Sequence, residues 1–364
     1  MKILHLVYDH IDNPWVGGGG AIRVNELCKR VAASGHDVTI ISGKYPSAKD
    51  YRENGIEYRF VGTERNYLLS TFSYAFMAAM FVRRHGREFD VIVEDFAPWN
   101  PVFSRFLTKT PVILHVNHRE GIGVLKRWLL PGVPFFLIEL FYPRLFRHIT
   151  ALSEGTKTKI RIKKAAIVPA GIPQGLIDAG EEGGEEDYLL YVGRLHIKNK
   201  GLDTLMAAMK VISGARLLIA GRGRDEDKLK EMASKIDGDK VEFAGFVSEE
   251  RKMDLLKASK MLVLPSRFEG WGIVVLEAAA FGKPVVVSDI PELNYAAEAG
   301  FGLSFKAGDS GGLAEKISFL LKNETLRREM GRNAREYARR YTWERISVEY
   351  GKYLEDVVKD EREN

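Results

Sequence analysis

Two acids, Glu269 and Glu277, bracket the stretch of this chain best suited to chemistry. From Met261 the chain reads MLVLPSRFEGWGIVVLEAAAFGKPVVVSD. An apolar run ends at Pro265, as a buried strand ends, and a loop follows that carries Arg267, Glu269 and two glycines. From Gly272 apolar residues recur at helical spacing through Ala280. Gly282 and Pro284 stop that helix, and Val285 to Val287 predict a second buried strand. The start of such a helix offers free N–H groups and partial positive charge, which favour phosphate. Gly270 and Gly272 let the backbone approach a ligand closely, and Glu277, in the second turn, would accept hydrogen bonds from sugar hydroxyls. The same spacing suits a surface acid and a half-buried acid in an ordinary βαβ unit, so spacing alone leaves both readings open.

Cations occur at a comparable place earlier on. A strand at Tyr188 to Val192 leads into GRLHIKNKG and a helix from Leu202. Arg194 and Lys200 there could clamp a diphosphate, with Lys198 a competing candidate and plain surface charge the alternative. A third loop is Gly17 to Gly20, after a strand at Ile3 to Tyr8 and before a helix that begins at Ala21, with Ile22, Leu27 and Val31 inward. Four glycines leave N–H groups free for an anion, or simply make a hinge. No GxGxxG with a downstream ribose acid accompanies them, so no NAD site is read. A helix through Phe76, Met80 and Val82 precedes a strand that delivers Glu94 and Asp95 to the strand end. The strand Pro111 to Val116 is followed by Asn117 and His118, while His115 points into the strand as a structural residue.

The segment FEGWGIVVLEAAAFGKPVVVSD resembles the Glu-x7-Glu segment of retaining glycosyltransferase family 4, which has the GT-B fold. Nearly every fixed position of the family's (F/Y)EG(F/W)G-x3-LEA(M/L)A-x-G-x-PV(V/I) is matched. The resemblance implies that Glu269 lies beside the transferred sugar, that Glu277 holds the nucleotide's ribose, and that the backbone of Gly270, Trp271, Gly272 and Ile273 faces the sugar and diphosphate. GRL-x(3-4)-KG is matched too, which implies that Arg194 and Lys200 bind the donor diphosphate. The turn at Gly221 would lie in the donor crevice, the backbone of the loop of Phe246 and Val247 would meet the base, and Gly18, Gly19 and Gly20 would close over the diphosphate and acceptor. The family's sugar-contacting His falls on Asn117 by count, with His118 one place later, so these two stay as alternates. Ala170 stands where the family usually has Asn.

The expected architecture is α/β: GT-B, two Rossmann-like doubly wound domains with a cleft between them and a C-terminal helix returning to the first. The acidic, glycine-rich run 178–187 reads as the linker. Residues 1–178, joined by about 343–364, would form the acceptor-binding domain, and residues 179–342 the donor-binding one. The expected activity is retaining transfer of a hexose from a UDP- or GDP-linked sugar to an acceptor hydroxyl, with Glu269, His118, Arg194 and Lys200 at the chemistry. No cofactor and no metal would be needed, since the resemblance is to GT-B enzymes, which usually need no metal for their chemistry. A nucleotide-sugar epimerase of the same architecture and a non-catalytic membrane-associated protein are the alternatives.

Composition sets the remaining bounds. A 364-residue chain that is 45% hydrophobic and 28% charged is a globular protein long enough for two domains. No run is long and apolar enough to span a bilayer, and the N-terminal run is too short for a signal peptide. The lone Cys28 can form no internal disulfide, which fits a cytoplasmic chain. Residues 119–164 hold ten Lys or Arg against three acids, net +7, while the rest of the chain nets −2. Within them, residues 126–148 place large apolar side chains between basic ends. That pattern suits either a peripheral contact with the inner face of the cell membrane, and with it a lipid-linked acceptor, or a core helix with a solvated basic end. No aromatic-basic stacking motif supports nucleic acid as a partner.

Overall fold

The computed structural model describes residues 1–16, 18–162, 164–179, 185–236, 238 and 240–363, with the side chains of Lys126 and Arg127 left out. The chain divides into two compact units, Met1–Ala170 with Trp343–Asn364, and Gly171–Thr342. The expected boundary at 178/179 lies eight residues further on. Residues 171–178 go with the second unit because Ile172 bridges to Thr342 and donates its N–H to the Tyr341 carbonyl, while the Ile177 carbonyl accepts from Arg335. Residues 180–184 of the expected linker lie outside the described residues.

Unit 1 is built on strands β1 (Lys2–Leu6), β2 (Asp37–Gly43), β3 (Tyr51–Glu53), β4 (Ile56–Val61), β5 (Val91–Phe96), β6 (Val112–Val116), β7 (His148–Ala151) and β8 (Ala166–Ile167). Their order is β3-β4-β2-β1-β5-β6-β7-β8, parallel except for the β3–β4 pair. Its helices are α1 (Gly19–Ala33), α2 (Tyr67–His85), α3 (Ile122–Trp128), α4 (Gly132–Phe141) and α5 (Glu154–Ile160). One face of the sheet, with Leu4, Leu6, Ile92 and Leu114, packs on Tyr74, Ala78 and Val82 of α2 and on Tyr142 and Phe146. The last helix of the chain, Trp343–Glu363, packs on α1. Arg30 to Glu344, Arg362 to Asp90 and His148 to Glu361 tie it to this unit.

One inward assignment is corrected here. Ile22 is exposed, and α1 buries Ala21, Val24 and Cys28 along with the expected Leu27 and Val31. Helix α1 also starts two residues earlier than expected, because Gly18 supplies the extended N-cap and Gly19 and Gly20 make the first turn.

Unit 2 contains helices α6 (Gln174–Asp178), α7 (Ile197–Lys200), α8 (Leu202–Met209), α9 (Glu226–Ala233), α10 (Glu249–Ala258), α11 (Ile273–Ala280), α12 (Tyr295–Glu298), α13 (Ser310–Lys322) and α14 (Glu324–Ala338). Its strands are β9 (Tyr188–Val192), β10 (Arg216–Ala220), β11 (Val241–Gly245), β12 (Met261–Leu264), β13 (Val285–Ser288) and β14 (Gly302–Phe305). All are parallel, in the order β11-β10-β9-β12-β13-β14. The direction of winding reverses between β9 and β12, and ligands of doubly wound sheets bind at such a switch point, beyond the strand C-termini. Functional side chains are therefore expected in the loops after β9 and β12. The last helix, Trp343–Glu363, takes the label α15.

Candidate functional site

The loop after β9 runs from Gly193 to Gly201 and the loop after β12 from Pro265 to Gly272. They are stitched together by backbone. The N–H groups of Arg267 and Phe268 donate to the Asn199 carbonyl at 2.8 and 3.2 Å. Arg267 forms a two-pronged pair with Asp203 at 2.8 and 2.9 Å and also donates to the Thr204 hydroxyl. Gly201 makes the close approach possible: at its φ of +62°, a Cβ would stand 1.9 Å from the Pro265 carbonyl oxygen. Neither the Arg267–Asp203 pair nor Asn199 is marked in the sequence, since both contacts join segments more than sixty residues apart.

These contacts deliver Lys200 to Glu269. The ammonium lies 2.5 Å from the carboxylate, both side chains partly exposed, and the Ser266 hydroxyl donates to the same oxygen at 2.7 Å. Tyr191 and Tyr295 stand near enough that the Glu269 charge adds to burial in raising their phenols. Arg194 opens the same loop with an exposed side chain, its carbonyl accepting from the Tyr191 hydroxyl. Lys198 is exposed, and its carbonyl is taken by Arg267. Lys200, at the end of α7, is thus the lysine paired with the acid.

Gly272 caps α11 in the left-handed region at φ +70°, and Glu277 follows in the second turn, as the spacing predicts. Glu277 is buried, and burial raises its carboxyl pKa even though Lys252 of α10 lies 2.9 Å away and opposes the shift. Lys252 bridges to Glu249 as well, at 2.7 Å. Sequence reasoning misses this lysine because it belongs to a different helix, with no local pattern to mark it. The Trp271 ring is buried and stacks on Tyr295, in a column continued by Tyr337 and Tyr341, and the Trp271 carbonyl accepts from the Tyr295 hydroxyl at 3.3 Å.

The neighbouring loops complete the strand-end surface of unit 2. Gly193 donates to Ala220 and Gly221 to Gly245, which joins the loops after β9, β10 and β11. Phe246 is exposed beyond β11, with the Arg222 guanidinium 5.5 Å above its ring. Val247 follows it in the same loop. An exposed aromatic face beside a cation can stack a flat ligand.

In unit 1, Asn117 sits at the end of β6 with its amide held from two sides. It donates to Asp95 at 2.9 Å, and its carbonyl accepts from His115 Nε2 at 3.2 Å. Asp95 is hydrogen-bonded to His5 as well, and the other His115 nitrogen faces Thr150 and Arg23 at 2.7 and 3.3 Å. His115 is structural, as expected. His118 follows Asn117 in the loop, and Gly18 to Gly20 occupy the start of α1. Gly17 lies outside the described residues. Glu94 is structural too. Buried within β5, two residues before its end, it accepts from the Val102 and Ser104 N–H groups and the Tyr142 hydroxyl.

The family model for glycosyltransferase family 4 matches residues 17–173, and that for glycosyl transferases group 1 matches residues 176–337. Phosphatidyl-myo-inositol mannosyltransferase of Mycobacterium leprae is 33% identical over 176 residues, covering 47% of this chain and 46% of that one. The aligned part of the chain spans about half the length of the first curated relatives it matches. Among solved structures, sucrose-phosphate synthase from Thermosynechococcus elongatus superposes with a TM-score of 0.80 at 21% identity, over 99% of both chains. Anabaena HepE in complex with UDP-glucose superposes with a TM-score of 0.73 at 16% identity, over 98% of this chain and 100% of that one. These likenesses show the GT-B fold.

Proposed function

The chain belongs to glycosyltransferase family 4, and we propose that it moves a hexose from a nucleotide-sugar to an acceptor hydroxyl with retention of anomeric configuration. The observation that carries this reading is the Lys200–Glu269 pair at the switch point of unit 2. A cation and an acid in contact there suit a donor whose diphosphate takes the lysine and whose sugar takes the acid. Arg194 and Lys200, with the start of α11, would stabilise the negative charge that builds on the departing diphosphate. Glu269 would orient the sugar or support positive charge on it. Glu277 would bind the ribose, the backbone of Gly270 to Ile273 the sugar and diphosphate, and the backbone of Phe246 and Val247 the base, with Gly221 in the same donor crevice. In unit 1 the assignments are Gly18 to Gly20 and the pair Asn117 and His118.

The leaving phosphate itself would take the proton of the acceptor hydroxyl as the new bond forms on the face the phosphate leaves. No metal is required for this, so turnover should survive chelation. HepE holds UDP-glucose in its structure, which supports a nucleotide-sugar as the donor class here. The acceptor would be lipid-linked and reached at the cytoplasmic membrane face, with residues 126–148 making the contact. None of the described helices is long and apolar enough to cross a membrane.

Melting curves with UDP-glucose, GDP-mannose and the matching nucleotides test the donor. A rise in melting temperature with one nucleotide-sugar supports the reading, and none with any of them removes it. Incubation with that donor alone separates transfer from epimerisation, because only an epimerase converts it to a second nucleotide-sugar.

A further inference from the structure

Helix α2 is apolar on both sides. Tyr74, Ala78 and Val82 turn into the core, and Leu68, Phe72 and Phe76 stand on the opposite row, with Phe76 69% exposed. Arg83 lies further along that outer row. The 3-10 turn Ser104–Phe106 contacts α2 and exposes Phe103 and Phe106. Beyond it, the α3–α4 hairpin exposes Leu129, Leu130 (84%) and Phe141.

These pieces belong to one layer. Glu94 accepts hydrogen bonds from Val102, Ser104 and Tyr142, and the Tyr142 hydroxyl in turn accepts from the Phe103 N–H, so the 3-10 turn and the end of α4 are anchored together. Tyr74, Val102 and Tyr142 share one core cluster, with Ile138 of α4 packed against it. The outward side chains therefore cover the outside of the helical layer on one face of the unit 1 sheet.

Charge decides what could lie there. Residues 65–87, 96–119 and 121–148 contain eleven Lys or Arg and a single acid, Glu139, with Glu64, Glu88 and Glu120 directly at their edges. Glu139 is buried, and the N–H groups of Glu120 and Gly121 occupy it. Apolar side chains among charges of one sign suit a bilayer with anionic headgroups. Not every arginine is available: Arg147 is paired with Asp360 and Glu361 on α15.

We infer that the outer face of α2, the Ser104–Phe106 turn and the α3–α4 hairpin form one surface that docks on an anionic lipid bilayer. The inference rests on the membrane contact proposed for residues 126–148 and widens it to two elements outside that segment. Co-sedimentation of the full chain with phosphatidylcholine vesicles, with and without phosphatidylglycerol, tests it. Phosphatidylglycerol should raise partitioning at least about tenfold, and high salt should reverse most of the gain. A Leu68→Ser/Phe72→Ser/Phe76→Ser variant and a Leu129→Ser/Leu130→Ser variant should each lose at least about tenfold in binding. Unchanged circular dichroism and melting confirm that both variants fold. If only the Leu129/Leu130 variant loses binding, the widening is overturned and the 126–148 contact stands. If the wild-type chain binds no vesicle, both fall. Equal binding to neutral vesicles overturns the anionic specificity, and self-association through this face without vesicle binding overturns the bilayer in favour of a second copy.

Discussion

The two units wind their sheets in the same way around the reversal, and each has an acid–base pair where the winding reverses. In unit 2 the pair is Lys200 and Glu269, carried by the loops after β9 and β12. In unit 1 it is His5 and Asp95, on the adjacent strands β1 and β5. The first pair lies beyond the strand ends, where a ligand could replace one partner with another. The second lies inside the sheet-to-helix layer, and every partner is internal: Cys28 beside His5, Asn117 on Asp95, and His115 and Arg23 beyond it. One position in a fold thus carries a pair partly open to solvent in one unit and a pair enclosed by internal partners in the other, depending on whether loop or strand supplies the charges.

If that contrast is right, removing the buried acid should have the largest effect. Asp95→Ala leaves Arg23 without its compensating charge and the Asn117 amide without its acceptor. Breaking a buried pair of this kind costs about 3–5 kcal/mol. Urea unfolding followed by a probe in unit 1 should show that loss, and a change under ~1 kcal/mol would mean that the network contributes little.

The next effect follows pH. Burial and Arg23 hold the His115 pKa down at about 3, against an ordinary value of 6.5. Between those values the unfolded chain binds a proton that the folded chain refuses, so stability is lost as pH falls below 6.5. His5 works the other way: burial lowers its pKa, but Cys28 and Asp95 together raise it to about 9. Its contribution is complete below 6.5 and lost as pH rises through 9. Each proton gives a slope of up to about 1.4 kcal/mol per pH unit. The transition that Asp95→Ala shifts should therefore be most stable near 6.5, and His115→Asn should flatten its acid limb.

The unit 2 pair should behave oppositely, with small effects on stability and large ones on turnover. A partly exposed ion pair is worth roughly 0–1 kcal/mol to folding. Lys200→Ala should nevertheless lower turnover at least about tenfold, or ~1.4 kcal/mol of barrier, if the lysine meets the leaving diphosphate. Loss of folding without loss of turnover would reverse the comparison.

Much of this is legible in the sequence wherever the signal is local. The βαβ unit around Glu269 and Glu277 can be read because its strand, glycine loop, helix and stop signals follow one another without a break, and the observed β12, α11 and β13 follow them closely. The long-range pairings cannot. Lys252 reaches Glu277 from another helix, and His5 reaches Asp95 across ninety residues. Periodicity also fails to fix the inward row of α1: Ile22 reads as inward yet is exposed, because hydrophobicity carries no sign for which side meets the core. The start of α1 reads two residues late because glycine is a poor helix former, and the fold overrides that preference.

The smallest effect concerns Glu277, which stands between the two behaviours. It is as buried as the unit 1 acids, yet its partner Lys252 bridges outward to the exposed Glu249. Glu277→Gln keeps the shape and one acceptor while removing the charge, so Lys252 retains a partner in Glu249 and folding should change little. A ribose hydroxyl bonded to the carboxylate would lose the charge-assisted part of its hydrogen bond, roughly 0.5–1.5 kcal/mol. Affinity for the nucleotide-sugar should then fall a few-fold by titration calorimetry, about 2- to 13-fold on that range, with turnover at saturation little changed. A large fall in stability with unchanged affinity would place Glu277 with Asp95 as a structural acid, and the contrast between open and enclosed pairs would then run within unit 2 rather than between the units.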